Sequence, residues 1–141
     1  MGNGIKQVYK EYQKSKKDDL IEQASTSMRK VYYALKEKMI KSKATNVTLS
    51  IFAAFTENSG VLNKHEFEII QNVMPEDANG GEVKFQIKNA VLGNTISLIK
   101  EICEFDMHLS DSVMILGLSI CAINKHMDIR QEDLLSAISS L

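Results

Sequence analysis

The chain has 141 residues, 44% of them hydrophobic and 25% charged, with a net charge of −1, and this composition is sufficient for one folded domain with its own core. The longest nearly continuous apolar run, from Val113 to Ile123, is far shorter than the roughly 20 residues that span a bilayer. With no apolar signal region near the N-terminus, we expect a single cytoplasmic domain over residues 1–141 rather than a membrane protein.

The two cysteines, Cys103 and Cys121, lie in apolar stretches with helical spacing. They are too few for a disulfide framework and lack the CxxC spacing of a thiolate metal site. Free cysteine is among the residues most often buried, and it packs as a small apolar side chain. We therefore predict two buried free thiols.

Charge is distributed unevenly along the chain. Residues 1–43 hold eleven Lys and Arg against five Asp and Glu, whereas residues 44–141 hold six against thirteen. The two parts can attract each other within the chain, with the remaining charge on solvated helix faces. Alternatively, the basic segment, in which Tyr9 and Tyr12 are interleaved with lysines, binds nucleic acid or an anionic membrane. The candidate anion-binding residues are Lys10, Lys14, Lys16 and Lys17.

The basic segment is predicted to form two helices. Residues 1–17 have apolar side chains at spacings of three and four, typical of a short and loosely packed helix. Residues 18–43 should form a long amphipathic helix that ends near Lys43, with its lysines in the last turns, where cations suit the helix dipole. Its apolar seam closes either on the chain's own core or on a second copy, so a homo-oligomer stays open. The seam consists of Ile21, Ala24, Met28, Val31 and Leu35.

A helix-loop-helix hairpin follows. Thr45 or Asn46 is expected to cap a helix that is apolar on almost all sides and therefore central. After a polar loop, Asn63 is a suitable N-cap, and Glu66 three residues later completes a capping-box spacing. Pro75 then opens the strongest break in the sequence, a loop that extends through Gly81.

The second half repeats this pattern. A connecting helix is expected over residues 83–105, a second central helix capped by Ser110 over residues 111–124, and a final helix over residues 130–140. The predicted fold is therefore all-α, with about seven helices, two hairpins joined by a connecting helix, and a basic N-terminal helical segment.

The two hairpins also match in sequence. The stretch from Leu49 to Ala53 aligns with Leu118 to Ala122, and deletion of two loop residues from the second copy brings Leu62 onto Ile129 and Glu66 onto Asp133. In both copies an inward aliphatic side chain precedes an acidic residue in the first helical turn, which suits free backbone N–H groups. We interpret the hairpins as an internal duplication.

Residues 59–66, Ser-Gly-Val-Leu-Asn-Lys-His-Glu, and more weakly residues 126–133, resemble the Asp-Gly-x-Ile-Ser-x-x-Glu element of the TerB-like helical domains, over about residues 45–141. That family is associated with tellurite-resistance and stress operons. The resemblance implies a non-enzymatic helical domain, acidic residues that bind metal, and a role in a membrane-proximal complex. Ser59 replaces the family's acidic residue before the glycine, and His126-Met127 replace Asp-Gly, which weakens metal binding more than the fold.

The first loop also resembles the second half of an EF-hand, with Gly60 at the turn. A divalent cation there would use Glu57, Ser59 and Glu66, but the first ligand position is Phe55, which cannot coordinate calcium. The capping role of Glu66 is the alternative. His126 and Asp128 are a second, softer metal candidate. No cofactor is otherwise expected.

No catalytic constellation is recognisable. Gly80-Gly81 lacks the residues of a phosphate-binding loop, and no nucleophile lies at a meaningful spacing from a base. We therefore expect no enzyme but a binding or adaptor domain with a protein partner, and the resemblance to the TerB-like domains implies a stress-response or mobile-element context. The alternative is a protein that binds nucleic acid or an anionic membrane through residues 6–43.

Overall fold

A computed structural model describes residues 2–56, 62–75, 95–105 and 108–140. Within these ranges the chain forms seven α-helices and no strand, so the predicted all-α class is confirmed. The helices are α1 (Gly2–Gln13), α2 (Lys17–Lys38), α3 (Lys41–Phe55), α4 (Lys64–Val73), α5 (Thr95–Phe105), α6 (Leu109–Asn124) and α7 (Ile129–Ser139).

Helix α6 lies at the centre of the fold. It contacts α1, α2, α3, α5 and α7. Its sequence explains this position, because nearly every residue from Leu116 to Ile123 is apolar or small and all of them are buried. A helix that is apolar on all sides has no face to present to water and is stable only inside a core.

Helix α2 covers α6 with one continuous apolar face. The predicted seam from Ile21 to Leu35 is buried, and α2 also packs against α3 and α4. The seam therefore closes on the chain's own core. Helix α1 also packs against α6. Its Ile5 is buried, and the Tyr9 hydroxyl donates a hydrogen bond of 3.4 Å to the carbonyl oxygen of Cys121 near the end of α6.

The end of α2 differs from the prediction. The helix ends at Lys38 instead of Lys43, and Met39 and Ile40 are extended. The seam of α2 would next need apolar side chains near residues 38 and 42, which are lysine and serine, so continuation of the helix would bury little further. After the bend, α3 buries a new set of side chains, and Lys41 and Lys43 belong to its first turn.

Two predicted N-caps are also wrong. Thr45 and Asn46 lie inside α3, whose N-cap is Ile40. The Thr45 hydroxyl instead donates to the Lys41 carbonyl at 2.9 Å and lies 3.1 Å from the hydroxyl of Tyr32, which ties α3 to α2. Ser110 lies in the first turn of α6, whose N-cap is His108. For the connecting helix, residues 83–94 lie outside the described residues, and 95–105 are helical as predicted.

The two hairpins, α3–α4 and α6–α7, correspond in a different register from the predicted one. Asn63 and Glu66 form the predicted capping box, and Asp128 and Gln131 form a second one at the start of α7. The second connection is four residues shorter than the first, not two, so Glu66 corresponds to Gln131 and not to Asp133. Met127, partly buried against the core, takes the place of Leu62, while Ile129 is 77% exposed.

The two central helices approach each other closely at Gly117. A Cβ atom added there would lie 2.5 Å from Cε1 of Phe55, whose side chain is fully buried. No real Cβ tolerates this distance, so any larger residue would have to displace a ring that is surrounded by the core. The close contact between α3 and α6 therefore requires glycine. Among the described helices, none is long and apolar enough to cross a membrane.

We predict that Gly117→Ala destabilises the protein by about 1–3 kcal/mol through overpacking, despite the better helix propensity of alanine. The matched control is Gly4→Ala in α1, where an added Cβ meets no atom within 4 Å and the change is expected to be neutral or stabilising by up to about 1 kcal/mol. Urea unfolding of both variants measures the two free energies. Equal stability of the two variants would contradict the packing argument.

Candidate functional site

The acidic residue predicted as a metal ligand, Glu66, is part of a closed hydrogen-bond network. Its Oε1 accepts the backbone N–H of Asn63 at 2.9 Å, and its Oε2 accepts Nδ2 of Asn124 at 3.0 Å. Asn63 donates in turn from Nδ2 to Oδ1 of Asn124 at 2.8 Å. Asn124 is the last residue of α6, so the first turn of α4 is joined to the end of the second hairpin's central helix.

The second capping box makes the reciprocal connection. Gln131 accepts the N–H of Asp128 through Oε1 and donates from Nε2 to the carbonyl oxygen of Phe55, both at 2.8 Å. Its neighbour Arg130 donates to the carbonyl oxygens of Ala54 at 2.8 Å and Thr56 at 3.1 Å. These contacts satisfy carbonyl groups that the end of α3 leaves without helical partners.

The chemistry of each partner explains why one box uses glutamate and the other glutamine. Glu66 faces two N–H donors, and a carboxylate offers only acceptors. Gln131 faces one donor and one carbonyl acceptor, which an amide satisfies with its oxygen and its nitrogen. Both side chains are more than 95% buried, where an unmatched polar atom is costly.

Of the three predicted cation ligands, only Glu66 lies within the described residues, and both of its carboxylate oxygens accept hydrogen bonds. Glu57 and Ser59, the other two candidate ligands, lie outside the described residues. Within the described part of the chain, no three His, Cys, Asp or Glu side chains are close enough to hold a metal ion. His126 and Asp128 are adjacent, with 3.7 Å between Nε2 and Oδ2, but Asp128 also caps α7.

The candidate anion-binding residues Lys10, Lys14, Lys16 and Lys17 are all exposed at the end of α1 and the start of α2. Lys14 forms an exposed ion pair of 3.1 Å with Glu11. Residues 10–22 contain four acidic residues beside these four lysines. The charge of this cluster is thus balanced locally.

A second basic cluster, not among the predicted site residues, surrounds the bend between α2 and α3. Residues 29–43 hold six Lys and Arg against one acidic residue, Glu37, so most of the excess positive charge of the N-terminal third lies here. Ile40, at the bend, is 73% exposed, and Tyr33 is 52% exposed. We name this surface the basic elbow, and define it as Tyr33, Lys36, Lys38, Ile40, Lys41 and Lys43.

The basic elbow departs from the usual pattern of a helix start. Ile40 is the N-cap of α3, and its side chain makes no capping hydrogen bond to the first turn. That turn contains no acidic residue and instead holds Lys41 and Lys43, although cations are unfavourable at this end of the helix dipole. In the described residues, no carboxylate lies within ion-pair distance of Lys38 or Lys43. Such local conflicts are typical of binding sites.

Lys36 of the basic elbow lies against two tyrosine rings. The ammonium group of Lys36 lies 4.4 Å from the ring centre of Tyr32 and 4.5 Å from that of Tyr33. A groove of about 300 Å³ runs beside these rings towards the end of α4 at Val73 to Pro75. An isoleucine and four lysines within residues 36–43 are the sequence signal for this surface. The sequence pattern, however, places these lysines in the last turns of α2.

A larger groove, of about 470 Å³, lies between α1, α2 and α6. Its walls carry Asp19, Glu22 and Lys30 with several hydroxyl groups, and they include no histidine or cysteine among the described residues. The hydroxyl of Ser27 donates to carbonyl oxygens of its own helix at 2.8 and 3.1 Å. This groove offers no nucleophile next to a base.

Cys103 and Cys121 form no disulfide. Cys121 is fully buried at the end of α6, and burial raises the pKa of its thiol from 9.0 to about 12, with a further increase from Asp128 that Arg130 partly offsets. A thiol with this pKa is protonated at neutral pH and unreactive. Cys121 therefore has a packing role, whereas Cys103 is only partly buried.

Comparison with protein-family models, with curated proteins and with solved structures gives no match for this chain. The resemblance to the TerB-like domains stays a prediction that depends on residues 59–66 and 126–133.

We predict that replacing Glu66 by glutamine and replacing Gln131 by glutamate each destabilise the protein. Glu66→Gln places an N–H donor against donors and should cost about 1–2 kcal/mol, and Gln131→Glu places a buried carboxylate against the Phe55 carbonyl and should cost about 3 kcal/mol. Protonation restores a donor in Gln131→Glu, so its deficit should shrink as the pH falls. The controls are Glu68→Gln and Gln71→Glu, at exposed positions of α4. Urea unfolding measures all four, and neutral effects at Glu66 and Gln131 would contradict the network.

We also predict that the protein loses stability at alkaline pH. Because the pKa of Cys121 is 9.0 unfolded and about 12 folded, its protonated form favours the folded state, and stability falls as the pH rises from 9 to 12 by up to about 1.4 kcal/mol per pH unit. Burial raises the pKa of Tyr9 and Tyr12 in the same direction. Cys121→Ala should flatten the pH dependence of unfolding, and Cys103→Ala should leave its slope unchanged.

Proposed function

We propose that the protein is a non-enzymatic binding domain of the TerB-like type that acts as an adaptor for a protein partner in the cytoplasm. The observation that carries this proposal is the use of the buried polar side chains. Glu66 and Gln131 join the two hairpins, and Thr45 ties α3 to α2. Since these groups are committed to the fold, we assign the function to the surface.

The exposed features of the surface suit recognition of an anionic partner. The basic elbow combines four lysines, two of which (Lys38 and Lys43) have no carboxylate of the described residues within ion-pair distance, with an exposed isoleucine and an exposed tyrosine. Hydrophobic and aromatic side chains surrounded by polar groups are characteristic of interaction sites. The stress-response or mobile-element context, and a location near a membrane, follow from the family resemblance alone.

A second function is supported by the same charges. Binding of an anionic membrane or nucleic acid through residues 6–43 is favoured because residues 29–43 hold most of the excess positive charge of residues 1–43. A salt-dependent affinity is the expected property of this interaction, since screening weakens contacts between exposed charges.

The adaptor function can be tested by affinity capture from the native host, with chemical crosslinking and the tagged chain as bait. We expect a protein that is recovered with the wild type and with Lys16→Glu/Lys17→Glu, and is lost with Lys38→Glu/Lys43→Glu. The two variants carry the same change of charge and differ only in its place. Recovery of no protein above the level of uncoupled beads would contradict the adaptor function.

A further inference from the structure

We infer that the basic elbow is a docking site for an anionic phospholipid surface, with Ile40 inserted between the headgroups and the lysines at the lipid phosphates. This inference rests on the second proposed function and gives it a site and a single kind of partner. It differs from the sequence prediction, which placed anion binding at Lys10, Lys14, Lys16 and Lys17.

The distribution of charge favours the basic elbow over that N-terminal cluster. Residues 10–22 hold four lysines and four acidic residues, whereas residues 29–43 hold six basic residues and one acidic residue. Lys16 and Lys17 lie at the start of the 22-residue helix α2 and the basic elbow lies at its end, which corresponds to a separation of roughly 30 Å along the helix axis. At 0.15 M salt the screening length is about 8 Å, so the two clusters act separately.

The exposed apolar side chains favour a lipid surface over nucleic acid. Ile40 lies between Lys38 and Lys41 and is 73% exposed, and it gains free energy by entering the acyl boundary, whereas a phosphodiester backbone offers it nothing comparable. Tyr33 is of the amphipathic kind that is enriched at headgroup level. All four charges of the basic elbow are lysines, whereas bidentate recognition of bases and phosphates favours arginine.

The rest of the chain supports the same orientation. Residues 44–141 hold thirteen acidic against six basic residues, so an anionic membrane repels this part and attracts the bend between α2 and α3. The extended residues Met39 and Ile40 separate two helices whose aliphatic side chains pack in or against the core. Insertion of Ile40 therefore requires no unfolding of either helix.

The experiment is flotation of the full chain with vesicles of phosphatidylcholine alone and of phosphatidylcholine mixed with phosphatidylglycerol, at low and high salt. We expect binding only to the mixed vesicles and release by salt. Ile40→Ser should weaken vesicle binding about tenfold, because the apolar side chain is lost. Serine is a better N-cap for α3 than isoleucine, so the loss of binding cannot be explained by a loss of fold. The matched control is Ile129→Ser, at an equally exposed isoleucine at the start of α7.

Charge reversal tests the place of the site. Lys38→Glu/Lys43→Glu should weaken binding by about a hundredfold or more, at about fivefold for each charge lost or reversed, and Lys16→Glu/Lys17→Glu should have a much smaller effect. No binding to the mixed vesicles, or equal loss with Ile40→Ser and Ile129→Ser, would overturn the inference. The inference would also be overturned if the protein retarded double-stranded DNA in a gel, lost this effect with Lys38→Glu/Lys43→Glu, and did not bind vesicles. That result would leave the second proposed function intact. The adaptor function fails separately, in the capture experiment.

Discussion

Each hairpin places a buried polar side chain at the end of the other hairpin's central helix, and this reciprocal contact determines how the halves of the molecule meet. Glu66 at the start of α4 binds Asn124 at the end of α6, and Gln131 at the start of α7 binds the Phe55 carbonyl at the end of α3. The same side chains close the capping boxes of their own helices. Helix initiation and hairpin packing are therefore coupled, because one side chain serves both.

Much of the fold was predictable because apolar content identifies the central helices. The run around Leu116 could only be a buried helix, and the spacing of Asn63 and Glu66 predicted a capping box that the structure contains. The end of α2 was not predictable, because no glycine or proline marks the bend at Met39 and Ile40. It is set by tertiary packing, since the seam of α2 finishes before α3 begins to bury its own side chains.

The candidate site was harder to predict than the fold. The sequence suggested a cation ligand at Glu66 because an acidic residue beside a glycine loop is common to caps and to metal sites, and the contact of Glu66 with Asn124 could not be foreseen from the sequence. The lysines of the basic elbow were visible individually. Their arrangement around an exposed Ile40 depends on the bend, so it was recognisable only once the helix ends were located.

The difference between the two box residues has a consequence for self-assembly. Similar hairpins within one chain carry a risk of mispairing, in which the first hairpins of two molecules pack against each other in place of the native pair. A pairing of two first hairpins would set the Glu66 carboxylate against the Phe55 carbonyl, two acceptors with no proton between them. The pattern of donors and acceptors thus favours the pairing of unlike hairpins, and it discourages like hairpins of two molecules from packing together.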